Sequence, residues 1–230
     1  MLNLEHRLEE VRRKIAQACR KSGRDPQEID LVVVTKAIEL EQLDTVYQLG
    51  VRDFGENRVQ ELLAKREQSP RDIRWHFIGH LQTNKVKKLI GQTALIHSID
   101  RLELARKIQE EADRQGLTAA GLVQVNVSRE AAKQGFDPES VFAAVGQMAS
   151  FDRLNLCGLM TIGPHVENPD AIRASFRMLA TLKTGLQERF PGMSWRYLSM
   201  GMSSDYEIAV EEGANVLRIG TAIFGSPEPE

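Results

Sequence analysis

The sequence predicts an α/β fold: a single (β/α)8 barrel of the TIM type with an extra helix at its N-terminus. Two patterns carry that expectation. Eight short apolar or β-branched runs recur along the 230 residues, and amphipathic segments with helical spacing stand between them. A third is punctuation, because polar or glycine residues follow the apolar runs at nearly every point where a barrel strand would end.

The chain opens on a helix. Leu4, Leu8, Val11, Ile15 and Ala18 fall on one helical face and predict a leading helix over 1–22, with the barrel over 30–226 of a single domain spanning 1–230. DLVVVTK (30–36) is a short β-branched run that reads as a buried parallel strand. Further strands are expected at VRDFGEN (51–57), IRWHFIG (73–79), TALIHSI (93–99) and GLVQVNV (121–127). The last three are LNLCGLMTI (154–162), WRYLSM (195–200) and NVLRIG (215–220). Helices between them are marked by Leu40, Leu43 and Val46, by Leu102, Ala105, Ile108 and Ala112, and by Val141, Phe142, Val145 and Met148. The clearest carries Ile172, Phe176, Leu179, Leu182 and Leu186 on one face. Strands alternating with helices imply parallel pairing through crossovers. The alternative, an open doubly wound sheet, wants a glycine-rich turn after its first strand. Residues 34–38 (VTKAI) contain no glycine, which favours the barrel.

Composition excludes several classes of function. Thirty Lys and Arg against 32 Asp and Glu give a net charge of −2, with no electrostatic footprint for nucleic acid or an anionic membrane. No apolar run approaches the ~20 residues of a membrane span. The charged N-terminus lacks the apolar core of a signal peptide. Two cysteines, Cys19 and Cys157, stand far apart, so neither a disulfide framework nor a zinc site is expected. A cytoplasmic location fits that usage.

In a barrel, chemistry collects where strands end. Those places hold Lys36, Gly55-Glu56-Asn57, Gly79-His80, His97-Ser98, Asn126, Met160-Thr161, the run from Met200 to Ser204, and Gly220-Thr221. Lys36 is in phase with Val32 and Val34, which predicts a partly desolvated lysine rooted in an apolar wall. Desolvation favours the neutral amine that attacks an aldehyde. The plainer reading is a lysine that snorkels into solvent. MGMSSDYEIAVEEGA sets Ser203 and Ser204 just ahead of a helical pattern, where backbone N–H groups and the helix dipole favour an anion. Ser204-x-x-Glu207 is equally a capping box, which needs no ligand. RIGTAIFG adds Gly220, for close backbone approach, and the Thr221 hydroxyl. The loops after the seventh and eighth strands are the recurrent phosphate site of TIM barrels. Arg218, near the end of the last strand, needs a partner if buried. That partner is a ligand or a rim carboxylate such as Glu56 or Asp205. His76 and His80 have a spacing that binds metal only on a helix, whereas Phe77-Ile78-Gly79 read as strand and turn, so no metal site is expected. Lys85, Lys87 and Lys88 read as a solvated helix face.

The segments VVVTK, FGENRVQE, WHFIGHLQTNK, NVSREAAKQGF, LSMGMSSDYEIAVEEGA and RIGTAIFG together resemble the pyridoxal phosphate (PLP) homeostasis protein family, the YggS/PROSC group. That family is similar to the N-terminal barrel of alanine racemases, and the likeness runs over nearly the whole chain in order. The resemblance implies PLP as cofactor, with Lys36 as the Schiff-base lysine. It implies that Ser203, Ser204, Gly220 and Thr221 surround the phosphate; Met200, at the strand end beside them, is counted with the cofactor-binding residues by its position. Arg218 would face the pyridine nitrogen, Asn57 the ring hydroxyl, and His80 the cofactor rim. Glu39 stands where many relatives have a proline, and Asn215-Val216-Leu217-Arg218 where many have Thr-x-Val-Arg; both changes concern packing.

Three functions compete: a PLP carrier, a minimal PLP-dependent racemase, and an aldolase using Lys36 directly on a phosphosugar. Alanine racemases similar to this barrel continue into a β-rich domain that brings a tyrosine acid/base partner. This sequence ends at IFGSPEPE, and its three tyrosines, Tyr47, Tyr197 and Tyr206, read as outer helix, strand and first helical turn. Arginine keeps its proton, so a pyridine nitrogen opposite Arg218 stays unprotonated and PLP is a weaker electron sink. The resemblance likewise implies no robust enzymatic activity. The expectation is a non-catalytic carrier in PLP homeostasis, a monomer whose partners are PLP and PLP-dependent apo-enzymes, with no catalytic residue assigned and the racemase as the alternative.

Overall fold

Each of the eight apolar runs forms a strand in the computed structural model, which describes residues 2–130 and 133–225. They are β1 (Asp30–Val34), β2 (Asp53–Glu56), β3 (Arg74–Phe77), β4 (Leu95–Ile99), β5 (Ala119–Gln124), β6 (Leu154–Met160), β7 (Tyr197–Ser199) and β8 (Val216–Ile219). All pair in parallel in sequence order, and β8 closes on β1 with Val32 opposite Arg218, giving a closed barrel. The helices are α1 (Leu2–Ser22), α2 (Leu40–Gln48), α3 (Val59–Gln68), α4 (Val86–Leu89), α5 (Leu102–Arg114), α6 (Val141–Met148), α7 (Pro169–Arg189), α8 (Tyr206–Glu211) and α9 (Thr221–Phe224). The expected barrel end at residue 226 lies outside the described residues.

Alternation along the strands divides the interior into two environments. Outward-facing Val33, Phe54, Trp75, Phe77, Ile96 and Val123 pack with the helices in one large apolar layer. Inside the barrel, Leu95, Leu122, Cys157 and Met160 form a second, smaller cluster. The lumen also holds polar residues: Asp53, His76, His97, Ser199 and Arg218 are all buried. The leading helix buries Leu8, Val11, Ile15 and Ala18 and packs against α8 and α9. Arg24, just beyond it, donates to the carbonyls of Val210 at 2.9 Å and Ala214 at 2.6 Å, which stitches the helix end to α8 and its exit loop.

Two local features shape the strand ends. Gly158 adopts φ 151° beside a shift of register in β6, and a Cβ there would lie 1.9 Å from the carbonyl oxygen of Tyr197. Only glycine allows β6 and β7 to approach so closely. Helix α3 buries just Val59 and Leu62. So weak an apolar face leaves no helical period to read, and a polar tether described below holds the helix instead. Lys87 and Lys88 of α4 are exposed, as a solvated face requires.

Candidate functional site

The C-terminal mouth of the barrel holds a cavity of about 370 Å³. One wall is apolar, from Val34, Ile78, Met160, Ile162 and Met202; the other carries Ser203, Ser204, Arg218, Gly220 and Thr221. Two larger concavities are present among the described residues. One runs along α1 and α8 among charged side chains and shares Ser203 and Ser204 with the mouth, and the other opens at the opposite end of the barrel beside Asp53 and Arg74. The mouth cavity is the one that joins Arg218 to Gly220 and the hydroxyls of both loops.

The loops after β7 and β8 are clipped together. Ala222 N–H donates to Ser203 Oγ at 3.1 Å, which leaves the Ser203 hydroxyl proton free. The capping box does not form. Helix α8 begins at Tyr206 with Asp205 as its N-cap residue, and Asp205 Oδ1 accepts instead from Met202 N–H at 2.6 Å. Ser204 is therefore left exposed at the mouth.

Arg218 is 4% exposed and has no carboxylate within ion-pair distance among the described residues. Its Nη1 donates to Ser199 Oγ at 2.5 Å and its Nη2 to the Thr161 carbonyl at 2.8 Å. The suggested partner Glu56 is engaged elsewhere, and Asp205 acts only through space. Burial pulls the guanidinium pKa down to about 10, against the opposing pull of Asp205, so it remains charged at neutral pH. Burial pushes the Asp205 carboxyl up, opposed by its backbone hydrogen bond to Met202 and by Arg218. A buried cation without a contacting anion, beside free hydroxyls, makes this cavity receptive to an anion.

Lys36 departs from expectation. Strand β1 ends at Val34, so Lys36 does not continue its wall; it sits exposed in a turn. The cause is Thr35. Its Oγ1 donates to Glu56 Oε1 at 2.7 Å, while its carbonyl accepts from Ile38 N–H at 3.0 Å and from Lys65 Nζ at 2.6 Å. These bonds close a turn over Lys36 and Ala37, with Ala37 in the left-handed region at φ 57°. That conformation costs a non-glycine residue about 1–2 kcal/mol. Lys65, from α3, also contacts the fully buried Glu56 at 2.7 Å. The Glu56–Lys65 pair is the tether that holds both α3 and the Lys36 turn, and the sequence reading missed Lys65 altogether.

The other expected residues divide. Asn57 follows β2, and its Oδ1 is buried without a hydrogen-bond partner among the described residues. Gly79 permits that placement, because a Cβ there would come within 2.1 Å of the Asn57 carbonyl oxygen. His80 lies on the exposed loop after β3, with Nδ1 3.0 Å from Asp100 Oδ2, and is not part of the cavity wall. Met200 is a correction. Ser199 faces the lumen, so the next side chain points outward, and Met200 is fully buried in the helix-facing layer. Met202 takes the place in the wall that was expected of Met200.

Comparison with known proteins follows from this geometry. The family model for the alanine racemase N-terminal domain matches residues 5–228. The pyridoxal phosphate homeostasis protein of Aquifex aeolicus (strain VF5) is 42% identical over 225 residues, which are 97% of this chain and 98% of that protein. The chain belongs to the pyridoxal phosphate homeostasis protein family. Among solved structures, PipY of Synechococcus elongatus PCC7942 with PLP bound superposes with a TM-score of 0.85 at 32% identity, covering 96% of this chain and all of that one. An alanine racemase of Clostridium difficile 630 shares the fold at a TM-score of 0.78 and 17% identity, this chain covering 58% of its length.

For a member of this family, the residues at the mouth fit PLP on their own chemistry. The apolar wall suits a flat ring and the clipped loops beside Arg218 an anionic group, while Asn57, like Lys36, is not among the residues that line the cavity. The polar lumen residues Asp53, His76, His97 and Ser199 went unassigned in the sequence. Their signal was available, since four polar residues occupy lumen-facing phases of parallel strands that normally carry apolar ones.

The tether yields a prediction. Lys65→Met strands a buried carboxylate and is expected to cost about 3–5 kcal/mol in urea unfolding. Replacing both partners (Glu56→Leu with Lys65→Met) should recover most of that loss. A single variant within about 1 kcal/mol of wild type would show that the pair holds nothing.

Proposed function

We propose that this protein holds pyridoxal 5′-phosphate covalently through Lys36 and serves intracellular PLP homeostasis, buffering or delivering the cofactor without robust catalysis. The observation that carries this reading is the mouth cavity, where the buried, carboxylate-free Arg218 stands beside the clipped Ser203 and Gly220 loops. The lysine turn lies two residues beyond the Val34 wall.

Each residue has a defined task in it. Ser203, Ser204 and Thr221 offer hydroxyl donors to the phosphate, and Gly220 lets the backbone approach. Arg218 donates toward the ring nitrogen. Asn57 accepts from the ring hydroxyl, and His80, paired with Asp100, borders the site from the rim. The tether through Thr35, Glu56 and Lys65 fixes where the Lys36 amine is presented. Bound PLP supplies an aldehyde that joins amines reversibly and a ring that can withdraw electrons from what it joins. Arg218 weakens the second capacity, because a permanent donor leaves the ring nitrogen without a proton. The exposure of Lys36 favours exchange, since an incoming amine or an acceptor protein can reach it. PLP-dependent apo-enzymes are the natural recipients, and a cytoplasmic monomer is the form this role requires.

The test joins mapping to turnover. Borohydride reduction of PLP-loaded protein is expected to leave the label on Lys36 in peptide mass mapping. The loaded protein should also restore activity to a PLP-free acceptor enzyme. A label on another lysine would refute the assignment. Racemisation of any common amino acid within a hundredfold of a median enzymatic rate of ~10 per second, abolished by Lys36→Ala, would make the protein a racemase instead.

The phosphate assignment is separately testable. Replacing Ser203, Ser204 and Thr221 together with alanine should weaken PLP retention at least about tenfold, since each charge-assisted hydrogen bond contributes about 1.5–3 kcal/mol. Replacing Lys85, Lys87 and Lys88 should leave it unchanged. Equal retention in the two triple variants would remove the hydroxyls from the site.

A further inference from the structure

A hydrogen-bonded chain crosses the barrel lumen from its N-terminal end to the cavity. Arg74 pairs with Asp53 at the start of β2. Asp53 Oδ1 lies 3.0 Å from His76 Nε2, and His76 Nδ1 lies 2.9 Å from His97 Nε2. His97 Nδ1 is 2.9 Å from Ser199 Oγ, which accepts from Arg218 Nη1 at 2.5 Å. Asp53, His76, His97 and Ser199 are 7%, 6%, 0% and 0% exposed, so the His97 and Ser199 bonds are shielded from solvent, while Asp53 borders the opening at the N-terminal end.

The acid at one end fixes the first proton in the chain. Burial pushes the Asp53 carboxyl up, but hydrogen bonds from His76 and Arg74 outweigh it, and the group stays ionised below its ordinary value. A carboxylate only accepts, so His76 must donate from Nε2. Where His76 Nδ1 is bare, His97 donates from its own Nε2 and presents a bare Nδ1 in turn. Burial, with the Arg218 charge nearby, holds the His97 pKa well below its ordinary value and keeps the ring neutral. In this order Ser199 gives its proton to His97, its lone pairs are left to receive Arg218, and all donors point from Arg218 toward Asp53.

We propose that Asp53, at the far end of the barrel, is a positioning residue for Arg218. By polarising His76, His97 and Ser199 in one direction, it fixes how the guanidinium is presented to the cavity. The reverse tautomer of His97 would donate to Ser199 and take one of the two lone pairs the serine otherwise offers Arg218, which weakens that hold. The proposal rests on the reading of Arg218 as the residue that faces the cofactor ring, and its test has one arm that does not.

That first arm uses ¹⁵N NMR of the full-length protein without added PLP. His76 and His97 are both expected as neutral Nε2–H tautomers, with slow rotation of the Arg218 guanidinium. Asp53→Asn keeps an acceptor oxygen and should preserve both signatures, whereas Asp53→Leu should mix the tautomers and free the guanidinium. Should Asp53→Leu fail to fold, His97→Phe breaks the chain midway and should free Arg218 equally. The second arm adds PLP: breaking the chain should shift the absorption maximum of the bound cofactor and speed its release by about 3–10-fold. Charged or Nδ1–H histidines in the wild type, or an Arg218 signal indifferent to Asp53→Leu and His97→Phe, would overturn the proposal. If wild-type protein retained no PLP, the cofactor reading would fall while the first arm still decided the role of Asp53.

Discussion

Arg218 is the constraint around which the barrel interior is arranged. A guanidinium inside a closed sheet must find acceptors there, and Ser199 Oγ and the Thr161 carbonyl supply two. No carboxylate comes close enough among the described residues to cancel its charge. Burial draws its pKa down to about 10, because the lumen solvates it poorly. Such a group is tolerated because it looks onto a cavity, and an anion entering that cavity offsets the desolvation already incurred. The chain from Asp53 works on the same problem from behind, giving the cation an oriented line of dipoles that ends on a distant negative charge.

Two mechanical devices make the mouth a site and not a hole. The Ser203–Ala222 hydrogen bond joins the loops after β7 and β8, so hydroxyls from separate strand ends share one wall. Lys65 grips the Thr35 carbonyl and Glu56 its hydroxyl, and the chain bends at the end of β1 into the exposed Lys36 turn. An amine presented on an exposed turn differs in consequence from one sunk in an apolar wall. The first can be approached by other amines and other proteins, which suits a protein that gives its cofactor away.

Much of this was legible in the sequence, for physical reasons. Parallel strands buried on both faces read as continuous apolar runs, so all eight stood out from DLVVVTK to NVLRIG. The two clipped loops were visible because hydroxyls and glycines follow the seventh and eighth strands directly. The Lys36 wall was misjudged because strand phase was carried two residues too far; the bonds that stop β1 come from Glu56 and Lys65, distant in sequence. Met200 was placed on the rim by position alone, while alternation from Ser199 sends it outward. The lumen chain joins residues 53, 76, 97, 199 and 218, and only barrel closure brings them together.

On the proposed reading, the protein holds PLP without exploiting it, and the state of the ring nitrogen decides that most directly. PLP labelled with ¹⁵N in the ring, bound to the protein and followed by NMR from pH 6 to 9, measures it. The predicted result is an unprotonated nitrogen throughout that range, accepting from Arg218. A protonated nitrogen at neutral pH would give the cofactor its full electron-withdrawing power and contradict the assignment of a carrier.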